Sequence, residues 1–212
     1  MDPNVELAPL KITCTSTRCD DNLHCFRLNQ RLKRTGPEGR CRQCNVELID
    51  WSRVKRRNIA DVDHTIAMLQ LELIRHHFWH LALSEYAANY AVRKGKVALR
   101  EAVGHQLEKA IGSPNHPRQG RQTPRENSRT ATVVHYAQHA TATCCRACLE
   151  EWHGIENGAD LTTAQLRYLT DLVMKYVDAK VPHLEDDPQK LPRRAPRPEP
   201  AKELAGAYAL AG

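Results

Sequence analysis

Apolar residues recur with the period of an α-helix in the middle of the chain. From about Asp61 the apolar positions fall three or four residues apart, which places them on one face of a helix. The positions that form and widen this face are Ile66, Leu69, Leu73, Ile74, Phe78 and Leu81. The pattern predicts a single long helix that ends near Leu83.

Two further helices follow this one in the predicted order. Ser84 is a typical N-cap for a helix that ends at Gly95, because glycine tolerates the left-handed conformation of a helix stop. Residues 97–111 predict the next helix, which Gly112 closes. The middle of the chain is therefore predicted to be helical throughout.

A capping box marks the last helix. Thr162 is followed three residues later by Gln165, and the helical period then continues to Val177 before Pro182 ends it. Upstream of this helix, residues 133–134 predict either a brief strand or the start of a helix; the pattern does not separate the two.

The chain divides into three parts. Residues 11–57 are rich in Cys, Arg and Gly without a helical period, which is typical of a loop-rich metal-binding module. Residues 58–183 hold the predicted helices, and residues 184–212 form a Pro-rich stretch that we predict to be disordered. We predict a mainly α fold: a small zinc-ribbon-like module, with or without a short hairpin, packed on a helical domain.

Four cysteines in the first part have the spacing of a zinc site. Cys41 and Cys44 form a Cys-x-x-Cys pair, and Cys14 and Cys19 form a looser pair before it. Each pair can hold one edge of the ligand tetrahedron that zinc prefers. These four are the predicted ligands, and Cys25 competes with Cys19 for its place.

A second cluster of cysteines and histidines lies in residues 135–153. Cys145, Cys148 and His153 have the spacing of the first three ligands of a zinc knuckle. Gly158 stands where that motif has its last cysteine. The sequence therefore predicts one Zn²⁺ in the chain and allows a second.

The missing ligand of the second cluster has several candidates. His139 is the predicted one, and Cys144 or a histidine of the earlier helix are alternatives. His76 and His80 lie one helical turn apart and can chelate a metal together, with His77 beside them, although histidines in such a setting more often pack or form hydrogen bonds. Two other interpretations of the cluster stay open: thiols that only pack inside a helix, or an iron–sulfur cluster.

Positive charge is concentrated near the first cysteines. The formal net charge is +6, and residues 24–60 hold ten Lys or Arg against three acidic residues. A second group of arginines lies in residues 113–130, which also contain several prolines and which we call the Arg-rich loop. Such patches attract polyanions, of which nucleic acid is the commonest in cells, although a solvated surface or an acidic protein partner fits equally well.

Segments for targeting or membrane insertion are not evident. The chain has no run of about 18 apolar residues, and residues 1–10 lack the basic and then apolar pattern of a secretory signal. These features predict a cytoplasmic protein with no membrane partner. Since disulfides are rare in the cytoplasm, the eight cysteines favour metal chemistry.

The second cluster resembles an uncharacterised bacterial family of unknown function. The resemblance rests on the string QHATATCCRACLEEWHGI at 138–155, the GRQTP loop at 120–124 and the helix around 171–174. It covers roughly residues 95–182, and the Cys-rich part before it has the character of an extension. The resemblance implies that the 120–124 loop and the cluster form one site, but it implies no reaction.

Three functions are consistent with these features. The first is a zinc-stabilised protein that binds the phosphate backbone of nucleic acid through the basic module and the Arg-rich loop. The second is a metal-dependent hydrolase or other metalloenzyme, in which a metal with three protein ligands activates a water molecule. Its candidate catalytic residues are His139, Cys144, Arg146 and Gln122. The third is a non-catalytic adaptor whose Pro-rich tail, residues 184–212, recruits a protein partner.

Overall fold

The described part of the chain is built from helices. A computed structural model describes residues 12–27, 39–114 and 130–191. The α-helices in these ranges are α1 (Trp51–Val54), α2 (Val62–Leu69), α3 (Leu73–His80), α4 (Glu85–Ile111), α5 (Val133–Ala140), α6 (Arg146–His153) and α7 (Thr163–Lys180). Two 3₁₀ turns, Cys19–Asp21 and Ile59–Asp61, accompany them. The prediction of a mainly α fold is confirmed. None of these helices combines the length and apolar character needed to cross a membrane.

The predicted long helix is interrupted, because the chain leaves the helical conformation at Glu72. Helix α2 ends at Leu69 and α3 begins at Leu73, with Glu72 extended at φ −93° and ψ 123°. The N–H of His24 donates to the carbonyl of Leu71 at 2.8 Å, and the N–H of Leu73 donates to the carbonyl of His24 at 2.9 Å. The prediction of one helix was therefore wrong, since tertiary pairing with the Cys-rich segment outweighs the local periodicity.

Gly95 divides α4 as the sequence predicted. Its backbone has φ 70° and ψ 163° inside an otherwise helical segment. A Cβ at this position would lie 2.4 Å from the carbonyl carbon of Asp187, because residues 185–189 run along α4. Lys96 donates its N–H to the carbonyl of Glu185 at 2.7 Å in this contact. The first residues of the predicted tail thus lie against α4, whereas residues 192–212 lie outside the described part.

The larger core joins α3, α4, α5 and α7. Its buried residues include Phe78, Leu99, Val103, Leu107, Val133, Leu169, Val173 and Val177. Residues 133–134 begin α5, so the helical alternative is the one observed. The predicted capping box is present, since Gln165 donates its N–H to Thr162 Oγ1 at 3.2 Å and Thr162 donates its own to Gln165 Oε1 at 2.9 Å.

A smaller core fastens the Cys-rich segment to α6. Three aromatic rings meet there: Phe26 lies 5.9 Å from Trp51 and 5.9 Å from Trp152, and the two tryptophans lie 5.2 Å apart. Such aromatic contacts bury a large apolar area and add to it by edge-to-face packing. The predicted packing of the module on the helical domain is therefore confirmed. Pairing within the described module is limited to isolated bridges at Arg18 and Arg40.

Candidate metal centres

Four side chains of the Cys-rich segment converge on one point. The ligand atoms of Cys19, His24, Cys41 and Cys44 all lie within 4.8 Å of one another. The Sγ atoms of Cys19 and Cys41 are 3.9 Å apart, and His24 Nδ1 is 3.4 Å from Cys44 Sγ. A tetrahedral Zn²⁺ with ordinary bond lengths needs separations of about 3.8 Å between sulfurs and about 3.5 Å between sulfur and nitrogen. We call this four-residue group the N-terminal centre.

Two similar turns present the cysteines of the N-terminal centre. In the first, Asn22 adopts φ 57° and donates its N–H to the carbonyl of Cys19 at 3.0 Å. In the second, Asn45 adopts φ 62° and donates its N–H to the carbonyl of Cys41 at 2.9 Å. Asparagine tolerates this left-handed conformation better than most residues. The residue types at these two positions therefore favour the turns that aim the thiols inward.

His24 is oriented by a neighbour outside the centre. Its Nε2 lies 3.0 Å from Asn22 Oδ1, while Nδ1 faces the sulfurs. Because an amide oxygen only accepts hydrogen bonds, Nε2 carries the proton and Nδ1 keeps its lone pair for a metal. Metal-bound histidines are commonly held in this way by an outer partner.

The electrostatics of the N-terminal centre favour a bound cation. Burial raises the pKa of Cys41, but the backbone N–H groups of Cys44, Cys25 and Gln43, with the His24 side chain, lower it to about 6. Burial, followed by hydrogen bonds with Cys44 and Cys41, raises the pKa of Cys19 to about 11. One thiolate forms readily, and a second is disfavoured beside it until a cation offsets the repulsion.

The group differs by one member from the predicted ligand set. Cys19, Cys41 and Cys44 lie together as expected, but His24 occupies the fourth corner and Cys14 does not belong to the group. Sequence analysis missed His24 as a member of this group. The Cys19-x4-His24 spacing, paired with Cys41-x2-Cys44, is the signal that could have found it. The competitor Cys25 is buried and donates its thiol proton to the carbonyl of Cys14 at 3.3 Å.

A second group of thiols gathers at the start of α6. The sulfurs of Cys144, Cys145 and Cys148 lie within 4.8 Å of one another. Cys148 Sγ is 3.6 Å from Cys144 Sγ and 3.4 Å from Cys145 Sγ. In [2Fe–2S] and [4Fe–4S] clusters no iron atom binds more than two protein thiolates, so the close spacing of three sulfurs favours a single ion. We call these three residues the thiol triad.

A buried arginine points at the thiol triad. Arg75 Nη2 lies 3.1 Å from Cys148 Sγ, and Nη1 lies 3.8 Å from Cys144 Sγ and 2.6 Å from the carbonyl of His139. Arg75 Nε donates to Glu72 Oε2 at 3.0 Å, and Trp152 Nε1 donates to the same oxygen at 2.9 Å. A buried charge is stable only when it is paired, so Glu72 holds the guanidinium in place beside the sulfurs.

The thiols of the triad resist ionisation even with the Arg75 guanidinium beside them. For Cys144, a hydrogen bond with Cys145 lowers the pKa, but the hydrogen bond with Cys148, burial and the charge of Cys148 outweigh it and raise the pKa to about 12. The pKa of Cys148 is also raised to about 12 and that of Cys145 to about 11. A divalent cation would displace these protons, since metals bind the thiolate.

The two histidines predicted as ligands, His139 and His153, are not members of the thiol triad's group. The His139 ring stacks on Phe78 at 4.5 Å, and His153 Nε2 lies 3.0 Å from the carbonyl of Thr141. Neither histidine belongs to the group that contains Cys145 and Cys148. Their roles as metal ligands stay predictions.

Arg146 is occupied by backbone carbonyls. Its guanidinium donates to the carbonyls of Ile111, Glu156 and Ala159 at 3.3, 2.6 and 2.5 Å. It therefore ties the end of α4 to the loop after α6. The remaining catalytic candidate, Gln122, lies outside the described residues.

The histidines of α3 pack against each other. The rings of His76 and His80 are 4.0 Å apart, and His80 Nδ1 lies 2.9 Å from the carbonyl of His76. Burial, followed by the charge of His80, lowers the pKa of His76. Among the described residues, they belong to no group of three metal-binding side chains.

Comparison with known proteins identifies the helical part. Residues 63–178, more than half of the chain, match the family described as Domain of unknown function (DUF4186). The chain belongs to this family. The predicted resemblance to a family of unknown function is therefore confirmed, and no solved structure matches the chain. The DUF4186 domain contains Arg75 and the thiol triad, whereas the N-terminal centre precedes it.

His153 gives the DUF4186 domain a predicted sensitivity to acid. Burial lowers its pKa to about 4; the hydrogen bond to Thr141 opposes this, and the charges of Arg75 and Arg57 reinforce it. The unfolded chain binds this proton near pH 6.5 and the folded chain does not, so stability falls as the pH drops from 6.5 towards 4. The total contribution is roughly 3 kcal/mol.

This contribution can be measured with His153→Gln, which keeps a donor for Thr141 and does not titrate. Denaturant unfolding between pH 6.5 and 4 should show a slope that is steeper for the wild type by about 1.4 kcal/mol per pH unit at most. Loss of metal in acid affects both proteins and cancels in the difference. Parallel pH profiles for the two proteins would contradict the prediction.

Proposed function

We propose that this protein is a zinc-binding protein whose N-terminal module, closed by Zn²⁺ at the N-terminal centre, binds the phosphate backbone of nucleic acid. The convergence of Cys19, His24, Cys41 and Cys44 at tetrahedral separations carries the proposal. A short loop-rich segment has too small a core to hold such turns alone, so a structural metal would fix its surface.

The charge distribution around the N-terminal centre supports a polyanionic partner. Part of the positive charge is used internally: Arg40 pairs with Glu47 at 3.3 Å, and Arg53 pairs with Asp61 at 2.6 Å. Arg56 is exposed and Arg42, next to the ligand Cys41, is half-exposed. These two arginines are the first candidates for phosphate contacts, because such contacts need accessible guanidinium groups.

The thiol triad supports a structural rather than a hydrolytic metal. Cys144 is only 4% exposed and Cys148 only 2%. A catalytic zinc keeps an open position that substrate and water can reach, whereas structural sites are closed. The burial of these thiols and the internal bonds of Arg146 therefore favour a binding function over the metalloenzyme alternative.

The proposal predicts salt-sensitive binding that depends on zinc. Fluorescence anisotropy with labelled duplex DNA, single-stranded DNA and RNA should show affinity that falls steeply with salt. Replacing both Arg42 and Arg56 with alanine should weaken binding by about 10-fold or more and reduce the slope of log affinity against log salt by up to about 2.

A control variant distinguishes the effect of removing a positive charge from the module from the effect of removing one elsewhere on the protein. Arg93 is an exposed arginine on α4, so Arg93→Ala changes the net charge by one without touching the module. It should leave the affinity nearly unchanged. Equal loss in Arg93→Ala and in single Arg42→Ala or Arg56→Ala variants, or no binding by the zinc-loaded wild type at low salt, would overturn the nucleic-acid proposal.

A further inference from the structure

The thiol triad offers three ligands to a metal that prefers four. Of the eight cysteines, three belong to the N-terminal centre and three to the triad. Cys14 and Cys25 remain. Cys25 is buried. Its thiol proton is used in the hydrogen bond to the Cys14 carbonyl, so Cys14 is the better ligand.

Contacts of nearby residues hold the segment around Cys14 close to the DUF4186 domain. The Cys25 thiol donates to the carbonyl of Cys14 at 3.3 Å, and the neighbouring residue His24 pairs with Glu72 between α2 and α3. Two residues before Cys14, Ile12 packs against the larger core. The segment that carries Cys14 is therefore fixed on both sides beside the start of α3, where Arg75 reaches towards the triad.

The charged forms of two arginines, Arg27 and Arg75, are stabilised both by Cys14 and by residues of the triad. Burial lowers the pKa of Arg27, but the charges of Cys148, Cys145, Cys14 and Cys144 together raise it above its usual value. For Arg75, burial likewise acts against the charge, and the other groups that raise its pKa are Cys148, Glu72, Cys144 and Cys14. For Arg75 the contact with the triad is direct, since Nη2 lies 3.1 Å from Cys148 Sγ and Nη1 lies 3.8 Å from Cys144 Sγ. The charge of Cys14 acts on the same two arginines.

We propose that Cys14 is the fourth ligand of a second metal site, in which Cys14, Cys144, Cys145 and Cys148 bind a Zn²⁺ ion as four thiolates. Cys14 lies outside the triad's 4.8 Å group, so binding draws its thiol towards the other three. Four thiolates around Zn²⁺ carry a net charge of 2−. Arg27 and Arg75 offset part of this charge, and Arg75 is also paired with Glu72. The ion joins the N-terminal segment to the DUF4186 domain.

This site is independent of nucleic-acid binding and can be tested by metal titration. The full-length wild type should bind two Zn²⁺ or two Co²⁺ per chain under reducing conditions. The Co²⁺ spectrum should contain one three-sulfur, one-nitrogen centre and one four-sulfur centre. The Cys14→Ser variant should lose the four-sulfur spectrum. Its metal affinity at the second site should fall by more than about 100-fold, a larger loss than the removal of a residue that only orients a ligand.

Two further variants keep the test decisive. Cys25→Ser is the matched control, because its hydroxyl can still donate to the Cys14 carbonyl; it should retain both metals. Cys14→His should restore binding of the second metal, with the four-sulfur spectrum replaced by one containing nitrogen. Circular dichroism checks that each variant folds. A Cys14→Ser protein that binds two metals with unchanged affinity, or a wild type that binds only one, would overturn the proposal.

Discussion

Replacing His24 with alanine is expected to remove the zinc ion of the N-terminal centre and to unfold the module around it. Structural zinc contributes on the order of 10 kcal/mol to the folding of small metal-dependent modules, because the unfolded chain has no preformed site. Losing one of four ligands should reduce Zn²⁺ affinity by at least about 100-fold, more than the loss of an outer partner. Zinc content after dialysis against a chelator measures this directly.

The unfolding of the module has its own readouts. Trp51 packs against Phe26 and Trp152 in the folded module, so near-ultraviolet circular dichroism should lose signal in His24→Ala. Protease cleavage should increase within residues 39–57, while the helices of the DUF4186 domain stay protected. Asn22→Ala, which removes only the partner of His24 Nε2, should lower the affinity by about 10- to 100-fold.

The comparison of His24→Ala with Cys14→Ser decides between two ligand sets for the N-terminal centre. The sequence predicts Cys14 as a ligand, whereas the structure gathers His24. The three-sulfur, one-nitrogen Co²⁺ spectrum should disappear in His24→Ala and persist in Cys14→Ser. The reverse pattern would return Cys14 to the N-terminal centre and remove His24 from it.

The sequence predicted correctly those structural features that depend on interactions between residues close together in the chain. The stop at Gly95 and the capping box at Thr162 depend on residues within one helical turn, and both are present. The Cys41-x2-Cys44 pair likewise needs only a tight turn to bring its sulfurs together. Such features are visible in a single sequence because the interacting groups lie a few residues apart.

The features that sequence analysis missed depend on contacts between distant segments. The break between α2 and α3 forms because Glu72 is extended and pairs with His24, 48 residues earlier in the numbering. In the sequence, Arg75 is an ordinary polar residue of a predicted helix. In the structure it is 1% exposed, and its Nη2 lies 3.1 Å from Cys148 Sγ. The local hydrophobic period cannot predict such a contact, since Arg75 and Cys148 are 73 residues apart and meet only in the folded chain.

Disrupting the buried ion pair of Glu72 and Arg75 is expected to cause a large loss of stability. Arg75→Met should destabilise the DUF4186 domain by about 3–5 kcal/mol, because it leaves the Glu72 carboxylate buried with Trp152 as its remaining donor. The loss should be greater in the zinc-bound protein if thiolates form at the triad, since the guanidinium then also faces their negative charge. Denaturant unfolding with saturating Zn²⁺ and with a chelator measures both values.

A surface pair provides the matched control for this change. Arg53 also donates two hydrogen bonds to a carboxylate, that of Asp61, but its side chain is 42% exposed. Arg53→Met should cost less than about 1 kcal/mol, because water replaces the lost contacts. Adding Glu72→Leu to Arg75→Met should recover part of the stability, since the stranded charge is removed with its partner. Equal losses for Arg75→Met and Arg53→Met, or additive losses in the double variant, would show that the buried pair is not coupled as the contacts imply.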